Sequence, residues 1–251
     1  MSDHATPYGR PVDAAQLVVV QDLAPHGVLR VAINLGNPVL AQGTPAAPSR
    51  VTVDLAREIA RRLGVPVELA CFDAARRSFE AVRDGGAELC FLAVEPARAA
   101  DIAFTAPYLL IDGVYAVPQD SALCTVDDVD RGGVRVGVKL GSAYDLYLTR
   151  TLRHAELVRG DEGVDVFRTQ RLEVAAGIRA PLAGYVAAHP DLRLVDEPFM
   201  QIRQAVGVAT ARSPSTVRFL RSVVEELKES GFVHDALGRS GQTTATVAPP
   251  G

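Results

Sequence analysis

Apolar residues in this chain fall into short runs that alternate with stretches where they recur every three or four positions. "LRVAIN" (29–34), "VPVELACF" (65–72) and "ELCFLAV" (88–94) read as strands, and "GVYAVP" (113–118) and "VRVGVK" (134–139) follow them. "AELVR" (155–159), "LEVAAG" (172–177), "LRLV" (192–195) and "QAVGVA" (204–209) continue the series. Between the strands, "VDLAREIARRLG" (53–64) sets Leu55, Ile59 and Leu63 on one helical face, with Glu58 ahead of Arg62 and Gly64 then Pro66 as stop signals. Helices are also predicted over "AARRSFEAVRDGG" (74–86), 161–168, 179–188 and 214–230. In "GSAYDLYLTRTL" (141–152), Ser142 is placed as N-cap with Asp145 after it, close to a capping box. Strands alternating with helices predict an α/β fold built on parallel sheets. The last stretch, "SGQTTATVAPPG" (240–251), is polar and proline-rich and is expected to be loosely held.

Composition narrows the function classes. A chain of 251 residues, 48% hydrophobic and 22% charged, fits one large domain or two lobes. Its net charge of -4 gives no reason to expect nucleic acid or an anionic membrane as partner. The start, "MSDHATPYGRPVDAAQLVVVQDLAPHG", lacks a basic region followed by a long apolar one, and its apolar run from Leu17 to Val20 is too short to span a membrane. Direct membrane insertion is not expected, and the cytoplasm is the expected location, or the periplasm or exterior if a leader was trimmed. Cys71, Cys90 and Cys124 cannot all pair with one another. Two of them lie in apolar runs and are expected to be buried free thiols. The five histidines and three cysteines show no metal-ligand spacing, so neither metal nor cofactor is expected. No phosphate loop or serine nucleophile elbow is present.

One string is distinctive. In "EPARAADIAFTAPY" (95–108), Pro96 follows Glu95, Arg98 comes three residues after that acid, and the close on Thr105-Ala106-Pro107-Tyr108 is expected to form a rigid turn. Together with "GVLRVAIN" (27–34), "VTVDLAREIARRLGV" (51–65) and "VGVKLGSAYDLYL" (136–148), it resembles the type II periplasmic solute-binding proteins, in particular the amino-acid-binding group of ABC importers (bacterial extracellular solute-binding protein family 3). The resemblance covers roughly residues 27 to 240. It implies two α/β lobes joined by two crossovers, with ligand held in the cleft between them. Residues 27–112 and 205–240 would form the first lobe and 113–204 the second, flanked by an arm (1–26) and a tail (241–251).

By the same resemblance, Arg98 binds a ligand carboxylate, since its planar guanidinium clamps both oxygens. A surface arginine on a first helical turn is the plain alternative. Glu95 stands where the family has threonine, Val39 where it often has a stacking aromatic, Ile178 where an aspartate usually takes the ligand ammonium, and Ala143 where it has a second threonine. Glu95 is then open to three roles: capping the helix that Pro96 begins, pairing with Arg98, or accepting from a ligand ammonium or hydroxyl. Lys139, Ser142, Ala143 and Tyr144 offer a second anion site at a helix N-terminus, or else simple capping with Lys139 solvated. Arg179 is a further anion candidate or a solvated helix-start arginine. Asn34, Asn37 and Gln204 lie at strand–loop junctions beside the expected cleft, and turn formation explains Asn37 as well.

The leading expectation is therefore a binder of a small carboxylate-bearing polar metabolite, amino-acid-like or an organic acid, with no particular transporter partner indicated. The alternative is a lyase on the same fold, similar to cyclohexadienyl dehydratase, with Glu95 and Lys139 as its acid–base pair.

Overall fold

The computed structural model describes residues 14–242 and 244–251; the first half of the expected arm lies outside them. Among these residues a nine-stranded sheet runs through the molecule. Strands β1 (Leu29–Asn34), β4 (Val67–Phe72) and β5 (Leu89–Ala93) form one parallel end, with β1 between the other two. Strands β7 (Arg135–Lys139), β8 (Glu156–Gly160) and β9 (Val174–Ile178) form a second parallel end, with β7 in the middle. A short hairpin, β2 (Gln42–Thr44) and β3 (Ala47–Ser49), stands apart in the turn-rich stretch after β1.

Two long antiparallel strands join the ends. β6 (Ile102–Pro118) and β10 (Leu192–Ala209) pair along most of their length, and β10 borders β5 while β6 borders β9. The sequence pattern broke each of these into pieces. "GVYAVP" is the second half of β6, and "LRLV" and "QAVGVA" are the two ends of β10. The expected turn at Thr105–Tyr108 is also strand. Pro107 has no N–H for the ladder, and β6 takes it up at register shifts opposite Ala205 and Gly207. There the Thr105 hydroxyl accepts from Val206 N–H at 3.2 Å and donates to Ala106 O at 2.7 Å.

Helices α2 (Val51–Leu63), α3 (Ala75–Arg83), α6 (Gly163–Thr169), α7 (Arg179–Ala187) and α8 (Pro214–Glu229) match the sequence reading within two or three residues. Helix α4 (Pro96–Ala99) is a single turn begun by its proline. In α5 (Ala143–Thr151), Ser142 Oγ accepts from Asp145 N–H at 3.1 Å, the expected N-cap. Helix α9 (Phe232–Arg239) follows α8.

Both ends of the chain differ from expectation. Part of the expected arm is a helix, α1 (Ala14–Leu23), which buries Val19 and Leu23, one helical repeat apart, and leaves Leu17 and Val18 exposed. Asp22 on α1 accepts from Ser213 N–H at 2.9 Å and from the Thr216 hydroxyl at 2.6 Å, so a side chain distant in sequence helps cap α8. The C-terminal stretch is tied down rather than loose. It adds strand β11 (Ala245–Val247) to the edge of β6, and Lys228 donates to Pro107 O at 3.2 Å and Pro249 O at 2.8 Å. Three backbone pairings on a sheet edge outweigh the polar composition that suggested disorder.

Of the cysteines, Cys90 is buried, Cys71 half-buried and Cys124 exposed, all as free thiols. Burial pushes the Cys90 thiol up to about 12, so it is a packing group and not a nucleophile.

Candidate functional site

The C-terminal ends of strands from both parallel sets point into a shared cavity of about 390 Å³. Asn34 at the end of β1 and Ala93 at the end of β5 line one wall, and Lys139 and Ile178 at the ends of β7 and β9 line the other. Open α/β sheets bind ligands at this place because successive strand–helix turns gather there. Phe91, Ile202 and Gln204 form the floor where β5 and β10 run side by side.

Arg98 is the pivotal side chain. It is 3% exposed, lines the cavity and has no acid within ion-pairing distance among the described residues. Its guanidinium donates to Ala93 O at 3.2 Å and, across the cavity, to Gly141 O at 2.9 Å. Burial draws its pKa down to about 10, with the charge on nearby Glu95 opposing the shift. It therefore stays charged at neutral pH, a buried cation bonded among the described residues to carbonyl dipoles alone, and an anion is its natural complement.

Gly141 is held for this contact. Its backbone is left-handed at φ 70°, and a Cβ there would lie 2.9 Å from Arg76 Cβ of α3. The Asp145 carboxylate fixes the loop by accepting from Gly141 N–H at 2.8 Å, and is itself bonded by Arg159 at 2.9 Å. Next to it, Ser142, Ala143 and Tyr144 line the cavity at the start of α5, whose first-turn N–H groups have no intrahelical acceptor. Burial pushes the Tyr144 phenol well above its ordinary range, so it stays neutral.

Residues 29–238 match the model for bacterial extracellular solute-binding proteins, family 3. The chain belongs to this family. Its solved relatives share the two-lobed type II fold. Holo ArgBP from T. maritima superposes with a TM-score of 0.68 at 23% identity, over 85% of this chain and 96% of that one. The cysteine-binding protein from Campylobacter jejuni gives a TM-score of 0.73 at 20% identity, over 88% and 92%. AncCDT-1, an ancestral amino acid-binding protein and a precursor of cyclohexadienyl dehydratase, gives 0.71 at 18%, over 88% and 97%. Comparison with curated proteins gives no match. No helix of the described residues is long and apolar enough to cross a membrane. The family description is extracellular, which lends no support to the cytoplasmic expectation.

In this solute-binding protein, eight of the ten residues singled out from sequence line one cavity: Asn34, Asn37, Arg98, Lys139, Ser142, Ala143, Tyr144 and Gln204. Several of them already have partners. Asn34 Oδ1 accepts from Gly36 N–H at 3.0 Å and Asn37 Oδ1 from Val39 N–H at 3.2 Å, so both shape the loop after β1. Lys139 is ion-paired with Glu162.

Two candidates lie outside the lining. Glu95 is 3% exposed, but its carboxylate turns away from the cavity to the Arg150 guanidinium on α5. It makes neither the expected side-chain cap of α4 nor a close pair with Arg98. Arg179 bonds Asp112 Oδ2 at 3.1 Å and Asp196 O at 2.9 Å, tying the start of α7 to the crossing strands. With Glu95 turned away and Lys139 held by Glu162, the acid–base pair of the lyase alternative is not assembled.

The sequence reading missed Glu162, Phe91, Pro181 and Tyr185 in the lining. Glu162 lies just past the end of β8 and just before α6, so the strand-end rule alone pointed to it. Phe91 is hidden in an all-apolar run that only topology orients. Val39 is buried, and its neighbour Pro38 is the one that lines the cavity, while Ile178 brings an aliphatic side chain to the wall.

Proposed function

We propose that this protein binds a small carboxylate-bearing metabolite in the cavity between its lobes and that the lobes close around it. The observation that carries this reading is Arg98, a buried guanidinium without an acid partner among the described residues, which faces the cavity and bonds to the backbone of Ala93 and Gly141. The first turn of α5, where Ala143 and Tyr144 line the cavity beside it, adds a second anion-attracting element. Residues 27–112 and 205–240 would move as one body and 113–204 as the other, flexing where β6 passes Asp112 and β10 passes Gln201 to Gln204. The relatives with amino-acid ligands in their names support the size class of the ligand.

Native mass spectrometry of gently purified protein tests this. A bound carboxylic acid is expected on the wild type and absent from Arg98→Ala. The same compound on both, at equal occupancy, would remove Arg98 from the site.

A further inference from the structure

The cavity's formal charges are few. Among the described residues of the lining, Arg98 and Lys139 are the cations and Glu162 the one acid. Glu162 is half exposed at the rim and committed to Lys139. Glu95 and Asp145, the nearby buried acids, are committed to Arg150 and Arg159. Among the described residues the cavity thus holds one cation without an ion-pair partner, Arg98, on which Glu95 acts only from beyond pairing distance. A monoanion neutralises that cation. A zwitterionic α-amino acid would bring in an ammonium as well, with no free carboxylate to receive it, and a buried ion without a partner is costly.

Gln204 supplies the second observation. It is 5% exposed and lines the cavity, and its buried Oε1 has no hydrogen-bond partner among the described residues. An unmet buried acceptor calls for a donor. Its position says where on the ligand that donor lies. Gln204 pairs across the sheet with Ala93, whose carbonyl accepts from Arg98. A group reaching Gln204 therefore belongs close to the carboxylate that Arg98 would hold.

We propose that the cavity selects a monocarboxylate bearing a hydroxyl beside the carboxylate, a 2-hydroxy acid, over the matching 2-amino acid, with Gln204 as the residue that reads the hydroxyl. This rests on the carboxylate reading above and specifies it. The ligand's carbon body lies against Phe91, Ile178, Pro181 and Leu182. A hydroxyl satisfies Gln204 without adding charge.

Titration calorimetry with matched trios tests it: lactate, alanine and propionate; 2-hydroxy-4-methylpentanoate, leucine and 4-methylpentanoate; 3-phenyllactate, phenylalanine and 3-phenylpropionate. Within the trio that fits best, the hydroxy acid is expected to bind at least about tenfold tighter than the other two, the usual scale for one buried hydrogen bond. Gln204→Leu is expected to erase the advantage over the unsubstituted acid, by weakening the hydroxy acid at least about tenfold. An amino acid binding as tightly as its hydroxy partner overturns this inference and leaves the carboxylate reading standing. Equal binding of hydroxy and unsubstituted acids by the wild type removes Gln204's role, and the wild-type trios decide this even if the variant fails to fold. Folded protein that binds none of the nine compounds overturns both readings.

Discussion

Arg98 on the single-turn helix α4 and Gly141 in the loop before α5 meet across the cavity, with Arg98 Nη2 donating to the Gly141 carbonyl at 2.9 Å. The same guanidinium faces the cavity, so under the proposed function one side chain would both hold the ligand and link the walls. Arg98→Ala should therefore weaken carboxylate binding by about 2 to 5 kcal/mol, the range for truncating one side of a buried charge interaction. Arg98→Lys keeps the charge but loses the planar fork, and should still bind markedly more weakly than the wild type. Calorimetry with the tightest carboxylate of the trios checks both.

A second contact joins the same two elements. Glu95 is 3% exposed, whereas Arg150 is 42% exposed and lies over the Tyr147 ring at 4.9 Å. Removing the cation should cost more than neutralising the acid, because Arg150→Ala strands a buried carboxylate while Glu95→Gln leaves an arginine that reaches water. Urea unfolding should give a loss of about 1 to 3 kcal/mol for Arg150→Ala and below about 1 kcal/mol for Glu95→Gln. The double variant should be more stable than Arg150→Ala alone, and additive losses would refute the pairing.

Asp22 makes part of the stability pH-dependent. Burial acts to raise its pKa, but the bonds from Thr216 and Ser213 and the charge of Arg212 outweigh it and hold the carboxyl below the ordinary value. A carboxyl with a depressed folded-state pKa contributes fully above its unfolded value, about 3.9, and loses that contribution as pH falls through the folded one. Asp22→Ala should cost about 1 kcal/mol at pH 7, and the gap to the wild type should close below about pH 4. Denaturant melts at pH 7, 5 and 3 show whether it does.

The crossing strands tolerate little added volume. A Cβ on Gly113 would lie 2.8 Å from Met200 Cγ and 3.0 Å from Phe199 Cζ, and Phe199 is already stacked on Tyr115 at 4.3 Å. Gly113→Ala should destabilise by about 1 to 3 kcal/mol, the usual cost of overpacking. Gly184→Ala is the control, since that Cβ on α7 meets nothing within 4 Å and a helical glycine gains about 0.5 to 1 kcal/mol as alanine. Thermal melts should move in opposite directions for the two.

The sequence by itself determined which segments are helix and which are strand wherever the pattern was local. The period of Leu55, Ile59 and Leu63, the cap at Ser142 and the six-residue run of β1 all depend on neighbours within a turn or two. It also brought forward Arg98, Lys139 and Ser142, because strand ends and helix starts are readable and the family pattern marks them. Tertiary structure decided what depends on pairing between distant segments. β6 and β10 are continuous because strands distant in sequence, chiefly each other, supply their hydrogen bonds, and β11 forms where β6 leaves an edge free. Charge partners were decided there too. Glu95 lies three residues from Arg98 yet pairs with Arg150, 55 positions away, and Arg179 is drawn to Asp112 instead of the cavity. Coulomb energy follows distance in space, and the fold sets that distance.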